Sequence, residues 1–386
     1  MLGGGGDFGI GAEVRRTMSP GPTEGSPLLE VRDLKVWYPV RAGIFRRRVG
    51  WVRAVDGVDF TLERGRTLGL VGESGCGKTS IGRAVVRVVE PHDGSIRISG
   101  EDLLAIKGSF LRRRRRHFQM VFQDPLSSLD PRQTVGQVIE EPLRIHSLGT
   151  RSERRRRVEE LLELVGLPSG TVRRLPREFS GGQLQRIGIA RALALDPDLV
   201  VCDEPVSALD VSIQAQIINL FERLQAQLGV ALLFIAHDLA VVRHIAHDVA
   251  VIYLGKIVER APRRALFERP THPYTVALLS TAPVPDVDVE RSRERIPLSG
   301  DPPSPTDPPS GCRFHTRCWL RADLGNPEEC VTTEPVLQTR EDAEDHQVAC
   351  HFAAQVSERI AGLNLPTVGV SSTGDHSGRE SGGDGV

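Results

Sequence analysis

Three short stretches of the chain carry residue types suited to holding and cleaving a phosphate chain. The first, Gly72-Glu73-Ser74-Gly75-Cys76-Gly77-Lys78-Thr79, has the spacing G-x-x-x-x-G-K-[ST]. Glycines let successive backbone N–H groups turn inward around phosphate oxygens, and the helix that follows points its positive end at them. In that pattern Lys78 reaches the β- and γ-phosphates, and the hydroxyl of Thr79, which Ser80 follows, ligates Mg²⁺. Cys76 reads as a small filler of the loop, not a nucleophile. The second stretch is Asp203-Glu204, placed 124 positions after Thr79 at the end of an apolar run. Asp203 would join the Mg²⁺ shell and Glu204 would polarise an attacking water. Alone, such a pair is ordinarily a solvated strand end; the phosphate loop upstream gives it a job. The third is Ser180-Gly181-Gly182-Gln183. Ser180 is a good N-cap, and the two glycines expose N–H groups at a helix start. This is a second anion site in a chain whose own loop already holds one nucleotide. Its use is therefore the γ-phosphate of a nucleotide on another subunit.

These residues need a rigid frame. Residues 67–71, 199–202 and 231–236 are short continuous apolar runs, and they alternate with helical stretches at 79–89 and 184–195. That pattern predicts an α/β fold whose parallel sheet is covered on both faces. Val158, Leu161, Leu162 and Val165 recur at helical spacing over 154–165, with Gly166 as the stop. This helix falls in a mostly helical insert at about 125–195. There is no internal repeat and only one phosphate loop.

With these stretches in place the chain resembles the ATP-binding cassette (ABC) ATPases, whose signature loop reads Ser-Gly-Gly-Gln. The remaining motifs of that family follow in order over about 200 residues. Gln123, in Val-Phe-Gln-Asp-Pro, matches the loop that senses Mg²⁺ and γ-phosphate and contacts the membrane partner. Ser207-Ala208-Leu209-Asp210 matches the loop that communicates across the cassette dimer. His237 matches the switch histidine at the γ-phosphate, and Tyr38 the aromatic that stacks on adenine. Phe179 stands where many relatives have Leu. The resemblance implies a P-loop NTPase of ABC type, with a parallel core sheet, an antiparallel β subdomain and a helical insert. It also implies ATP and Mg²⁺, and two cassettes closing head-to-tail over two ATP molecules.

Within the family, residues 203–212 and His272-Pro273-Tyr274-Thr275 resemble the ATPase subunits of dipeptide and oligopeptide importers, closest to the second, "F" type. A second cassette (a paralogue), two transmembrane permease subunits and an extracytoplasmic solute-binding protein are the implied partners. The implied place is the cytoplasmic face of the membrane, as a peripheral subunit. Related importers carry nickel or other small solutes. The competing classes are a non-transport ABC ATPase acting on nucleic acid and a stand-alone P-loop kinase or switch. The first typically carries two cassettes or a long coiled-coil insertion; the second leaves Ser180–Gln183 without work.

Composition sets outer bounds. The chain has 386 residues and a formal net charge of −1, which disfavours a globally basic nucleic-acid binder. No apolar run reaches the length of a bilayer span. Of 49 basic residues only Lys35, Lys78, Lys107 and Lys256 are lysines, so Lys78 stands where arginine does not serve. The arginine runs 112–116 and 154–157 read as solvated helix faces, with an anionic headgroup or acidic coupling segment as the alternative. Residues 1–27 read as a disordered leader without the build of a secretory signal, and Met18 as a second candidate start. The cassette is expected over 28–270, a Pro-rich extension over 271–354 and a flexible tail over 355–386. Four of the six cysteines, Cys312, Cys318, Cys330 and Cys350, fall in the extension with gaps of five, eleven and nineteen residues. Disulfides suit a cytoplasmic protein poorly, and zinc favours closer pairs. Four thiolates also suit an iron–sulfur cluster, and unligated thiols are the fourth reading. Relatives with a similar extension imply a [4Fe–4S] cluster.

Overall fold

The computed structural model describes residues 26–43, 45, 47–124, 128–281, 295–298, 300–340 and 343–360. Residues 1–25 of the expected leader and the tail beyond residue 360 lie outside the described residues. The strands are β1 (Leu29–Ala42), β2 (Arg47–Leu62), β3 (Thr67–Val71), β4 (Asp93–Ile98), β5 (Glu101–Asp102), β6 (Phe118–Val121), β7 (Leu199–Asp203), β8 (Ala231–Ala236), β9 (Asp248–Tyr253), β10 (Lys256–Pro262), β11 (Gln338–Arg340) and β12 (Ala343–Val348). The helices are α1 (Lys78–Val85), α2 (Gly108–Arg114), α3 (Val135–Ile145), α4 (Arg151–Leu164), α5 (Gly181–Leu193), α6 (Val211–Leu228), α7 (Leu239–Ile245), α8 (Arg263–Glu268), α9 (Pro273–Thr281), α10 (Trp319–Asp323), α11 (Glu329–Thr332) and α12 (Ala353–Ile360).

The main sheet has the order β11-β12-β10-β9-β3-β8-β7-β6. Its five strands from β9 to β6 are parallel. Every residue of β3, β7 and β8 is buried. Alternate residues feed two different cores: Leu232 and Phe234 face one, Leu233 and Ile235 the other. Burial on both faces is why these strands read as unbroken apolar runs. The first core also takes in α3–α6, which covers the helical insert. The second lies between the main sheet, α1 and an antiparallel four-stranded sheet of order β2-β1-β4-β5.

Local chemistry sets several element ends. The helix expected over 79–89 stops at Val85, because Arg87 takes a left-handed φ of 54° and pairs with Glu90. The helix expected from Arg154 starts at Arg151, where Thr150 and Glu153 form a reciprocal cap. Thr134 with Gln137 and Ser180 with Gln183 start α3 and α5 in the same way. Helix α2, which carries Arg112–Arg114 of the first arginine run, buries none of its residues.

The C-terminal extension packs against the cassette's main sheet. Strand β12 pairs with β10 at Glu259↔Val348 and Arg260↔Gln347, and β11 pairs with β12. A bare β10 would leave a row of backbone donors and acceptors open; the extension covers that edge. Tyr253 of the cassette and Tyr274 and Phe314 of the extension are fully buried together. Their rings meet edge-on or tilted at 4.8–5.3 Å, a favoured aromatic geometry. Helix α12 runs past residue 354, where the flexible tail was expected to begin, and buries Val356.

Candidate functional site

Parallel strands all end on one edge of a sheet, so whatever follows them is gathered there. Here β3 leads into the phosphate loop, β7 ends at Asp203, β8 is followed by His237 and β6 by Gln123. The register aligns these ends: Val71 pairs with Ala236, Asp203 with Ile235 and Val121 with Cys202. The sheet therefore brings together residues from four distant parts of the chain.

Gly77 caps α1 with a φ of 108°, and a Cβ there would stand 2.0 Å from the Ala54 carbonyl oxygen. Only glycine fits. Lys78, 3% exposed, donates to the carbonyls of Gly72 at 2.7 Å and Glu73 at 2.9 Å. Its ammonium is thus fixed inside the curve of the loop. Cys76 is buried, which pushes its thiol pKa up, in keeping with a filler. Ser74 and Gly75 complete the loop, Gly75 with a φ of 79°.

Thr79 Oγ1 donates to Asp203 Oδ1 at 2.8 Å. Burial pushes the Asp203 carboxyl up, against the pull of that hydrogen bond and of Arg83. A hydroxyl and a carboxylate side by side are hard oxygen donors, the set that suits Mg²⁺. Glu204 stands at the centre of the remaining polar groups. Its Oε2 accepts from Gln123 Nε2 at 3.2 Å and lies 3.5 Å from His237 Nδ1, and its Oε1 is 3.9 Å from Lys78 Nζ. Glu204 takes a φ of 44°, a region that a residue with a side chain rarely adopts. Its N–H donates to the Ile235 carbonyl at 3.0 Å, which holds that conformation. The strained turn aims the carboxylate at the sheet edge.

Tyr38 lies on β1 with its ring against the second core, and its hydroxyl donates to Ser80 Oγ at 3.2 Å. That places it beside the first turn of α1. Ser180 and Gln183 are exposed, and their hydrogen bonds stay within their own cap. Gly181 and Gly182 lie against Leu209 and Ile213. The signature loop therefore rests on the segment that carries Asp210, itself exposed at the start of α6. Neither loop hydrogen-bonds to the chain's own phosphate loop.

Spacing alone did not mark a set of contacts from the extension. Arg317 donates through Nη1 to Glu73 Oε2 at 2.7 Å and through Nη2 to Oε1 at 3.1 Å. Tyr274 Oη accepts from the Glu73 N–H at 2.9 Å. Arg313 bonds Asp56 and the Leu254 carbonyl. The available signal was an acidic residue inside a phosphate loop, which demands a counter-charge from somewhere.

Cys312, Cys318, Cys330 and Cys350 line one small cavity together with Phe314 and Arg321. All are free thiols. Burial pushes Cys312 up to about 11 and Cys318 up to about 12, and raises Cys330 and Cys350 as well. Among the described residues no group of three or more such side chains is close enough to hold a single metal ion, so the geometry does not fit a one-zinc site.

Comparison with known proteins shows the family. Residues 55–207 match the family described as ABC transporter, and residues 258–324 match the one described as oligopeptide/dipeptide transporter, C-terminal region. The oligopeptide transport ATP-binding protein AppF of Bacillus subtilis is 51% identical over 84% of this chain and 97% of its own length. The oligopeptide transport ATP-binding protein OppF of Salmonella typhimurium is 50% identical over 84% and 95%. An ATP-binding cassette solved as a dimer in a post-hydrolysis state with ADP and Pi aligns at a TM-score of 0.55 and 26% identity, over 61% of this chain and 98% of that one. No helix among the described residues is long and apolar enough to cross a membrane. The chain belongs to the ABC transporter ATPases, in the group that carries the oligopeptide/dipeptide transporter C-terminal region.

Proposed function

We propose that this chain hydrolyses ATP to drive import of dipeptides and oligopeptides, as a peripheral subunit on the cytoplasmic face of the membrane. The observation that carries the ATPase half is Glu204, held by Gln123 and near Lys78 and His237 on one sheet edge. The names of the relatives and the matching C-terminal region support peptides as cargo. A second cassette, a paralogue, two permease subunits and an extracytoplasmic solute-binding protein complete the assembly.

The loop N–H groups and Lys78 hold the phosphates, and Tyr38 takes the adenine. Thr79, Asp203 and Gln123 would hold Mg²⁺, which would supply positive charge to neutralise the phosphates. Glu204 orients the attacking water and draws its proton, and His237 steadies the γ-phosphate. The exposed Ser180–Gln183 loop closes over the partner's nucleotide and Asp210 faces the partner, so each pocket is shared between two chains. Gln123 passes closure on to the permease.

We also read the four thiols of the extension as the seat of a [4Fe–4S] cluster. They line one cavity, and the Arg321 Nε that lines it has no hydrogen-bond partner among the described residues. A sulfide-rich anion suits that donor. Iron and sulfide analysis of anaerobically purified protein tests this; a folded, colourless, iron-free protein overturns it.

The main test is ATP turnover by the reconstituted complex with and without peptides. Glu204→Gln should slow hydrolysis about a hundredfold or more while ATP still binds. Wild-type turnover in that variant would refute the role given to Glu204, and a rate indifferent to peptides would refute the cargo.

A further inference from the structure

Glu73 is the one acidic side chain in the phosphate loop, next to the seat of a highly anionic ligand. Left unpaired, its carboxylate would repel phosphate. The extension takes both of its polar ends. Arg317, only 8% exposed, forms the two-pronged pair with the carboxylate, and Tyr274 accepts the backbone N–H. A forked pair fixes direction as well as distance. Tyr274 is itself locked among Tyr253 and Phe314, and the Arg317 guanidinium lies 3.5 Å from Tyr253 Oη. The far side of the loop is braced too: Gly255 N–H donates to the Cys76 carbonyl at 2.9 Å.

We propose that Arg317 and Tyr274 are positioning residues for ATP binding: they hold the phosphate loop through Glu73 and cancel its charge. The extension thereby acts on the nucleotide site of its own chain. This depends on ATP binding and hydrolysis alone, and a wrong cargo would leave it standing.

The test is ATPase kinetics of the assembled complex over a range of ATP concentrations. Arg317→Ala should raise KM for ATP roughly tenfold and leave kcat within about twofold. Arg317→Lys keeps the charge and should recover much of the loss. Adding Glu73→Gln to Arg317→Ala should also recover part of it, because the repelling carboxylate is gone. Thr332→Val removes an exposed extension hydrogen bond, Oγ1 to the Glu328 carbonyl at 3.1 Å, that touches neither Tyr274 nor Arg317, and should leave KM unchanged. Thermal melting of each variant separates lost protein from lost affinity. An unchanged KM in Arg317→Ala, or a fall in kcat alone that tracks the loss of folded protein, would overturn the proposal. So would a KM that rises equally in Thr332→Val.

Discussion

Two regions grip the phosphate loop, and they are encoded in opposite ways. The sheet edge holds it from within: Lys78 and Thr79 follow β3 directly, and Asp203 and Glu204 close β7. The extension holds it from outside, through Arg317 and Glu73, partners 244 positions apart. The phosphate loop itself is written in neighbouring residues, because backbone N–H groups must come in sequence to wrap a phosphate. The grip on the loop's outer side has no such constraint, and any buried arginine delivered by the fold would serve.

If the inner grip does the chemistry and the outer one only holds, their losses should differ in size and kind. The largest loss belongs to Lys78→Ala, which removes the loop's only cation. ATP binding should fail in a titration and turnover should drop about a hundredfold or more, whereas the Arg317 variant should lose affinity alone. An equal loss of rate in both would erase the distinction. Ser180→Arg comes next. Turnover of the complex should fall about a hundredfold, yet ATP affinity of the isolated chain should be unchanged, if Ser180 serves the partner's pocket as proposed. An isolated chain that hydrolyses ATP at full rate with this substitution would break the two-chain pocket.

The smallest effect probes how the extension is fastened. Glu259 is buried and accepts from Thr271 N–H at 2.7 Å, His272 N–H at 3.0 Å and His346 Nε2 at 2.7 Å. Burial alone would raise its pKa, but His346 and its neighbours reverse that and the net shift is downward. A carboxyl lowered in the native state stabilises it above the unfolded value, about 4.3. That stabilisation is lost as pH falls through the lowered native value. The melting temperature should therefore drop on acidification below about pH 4.3. Glu259→Gln should remove this component and cost about 2 kcal/mol at neutral pH, read by denaturant unfolding.

Legibility followed the same divide. β3, β7 and β8 were visible as apolar runs because both faces are buried, and Ala231–Ala236 matched its expected span. The candidate site was readable as a set of motifs because each motif is local. The extension was readable as a matching sequence but not as a structure. β11 has three residues and is largely exposed, and β12 reads Ala-Glu-Asp-His-Gln-Val, so neither shows the apolar alternation that marks a strand. Their fit depends on the edge of β10, which sequence alone does not reveal. Tyr274 was noted within His272-Pro273-Tyr274-Thr275, but its bond to Glu73 emerges only from the tertiary fold.

Pairing of β12 with β10 also bears on how the protein is born. Glu259 and His346 are 87 positions apart, and a ribosome needs roughly 4–17 s to add that many residues. For that interval the emerging chain carries an unfinished margin of β-structure. The last element to join the sheet is thus among the last to be made, and it shuts a border through which neighbouring nascent chains could add strands.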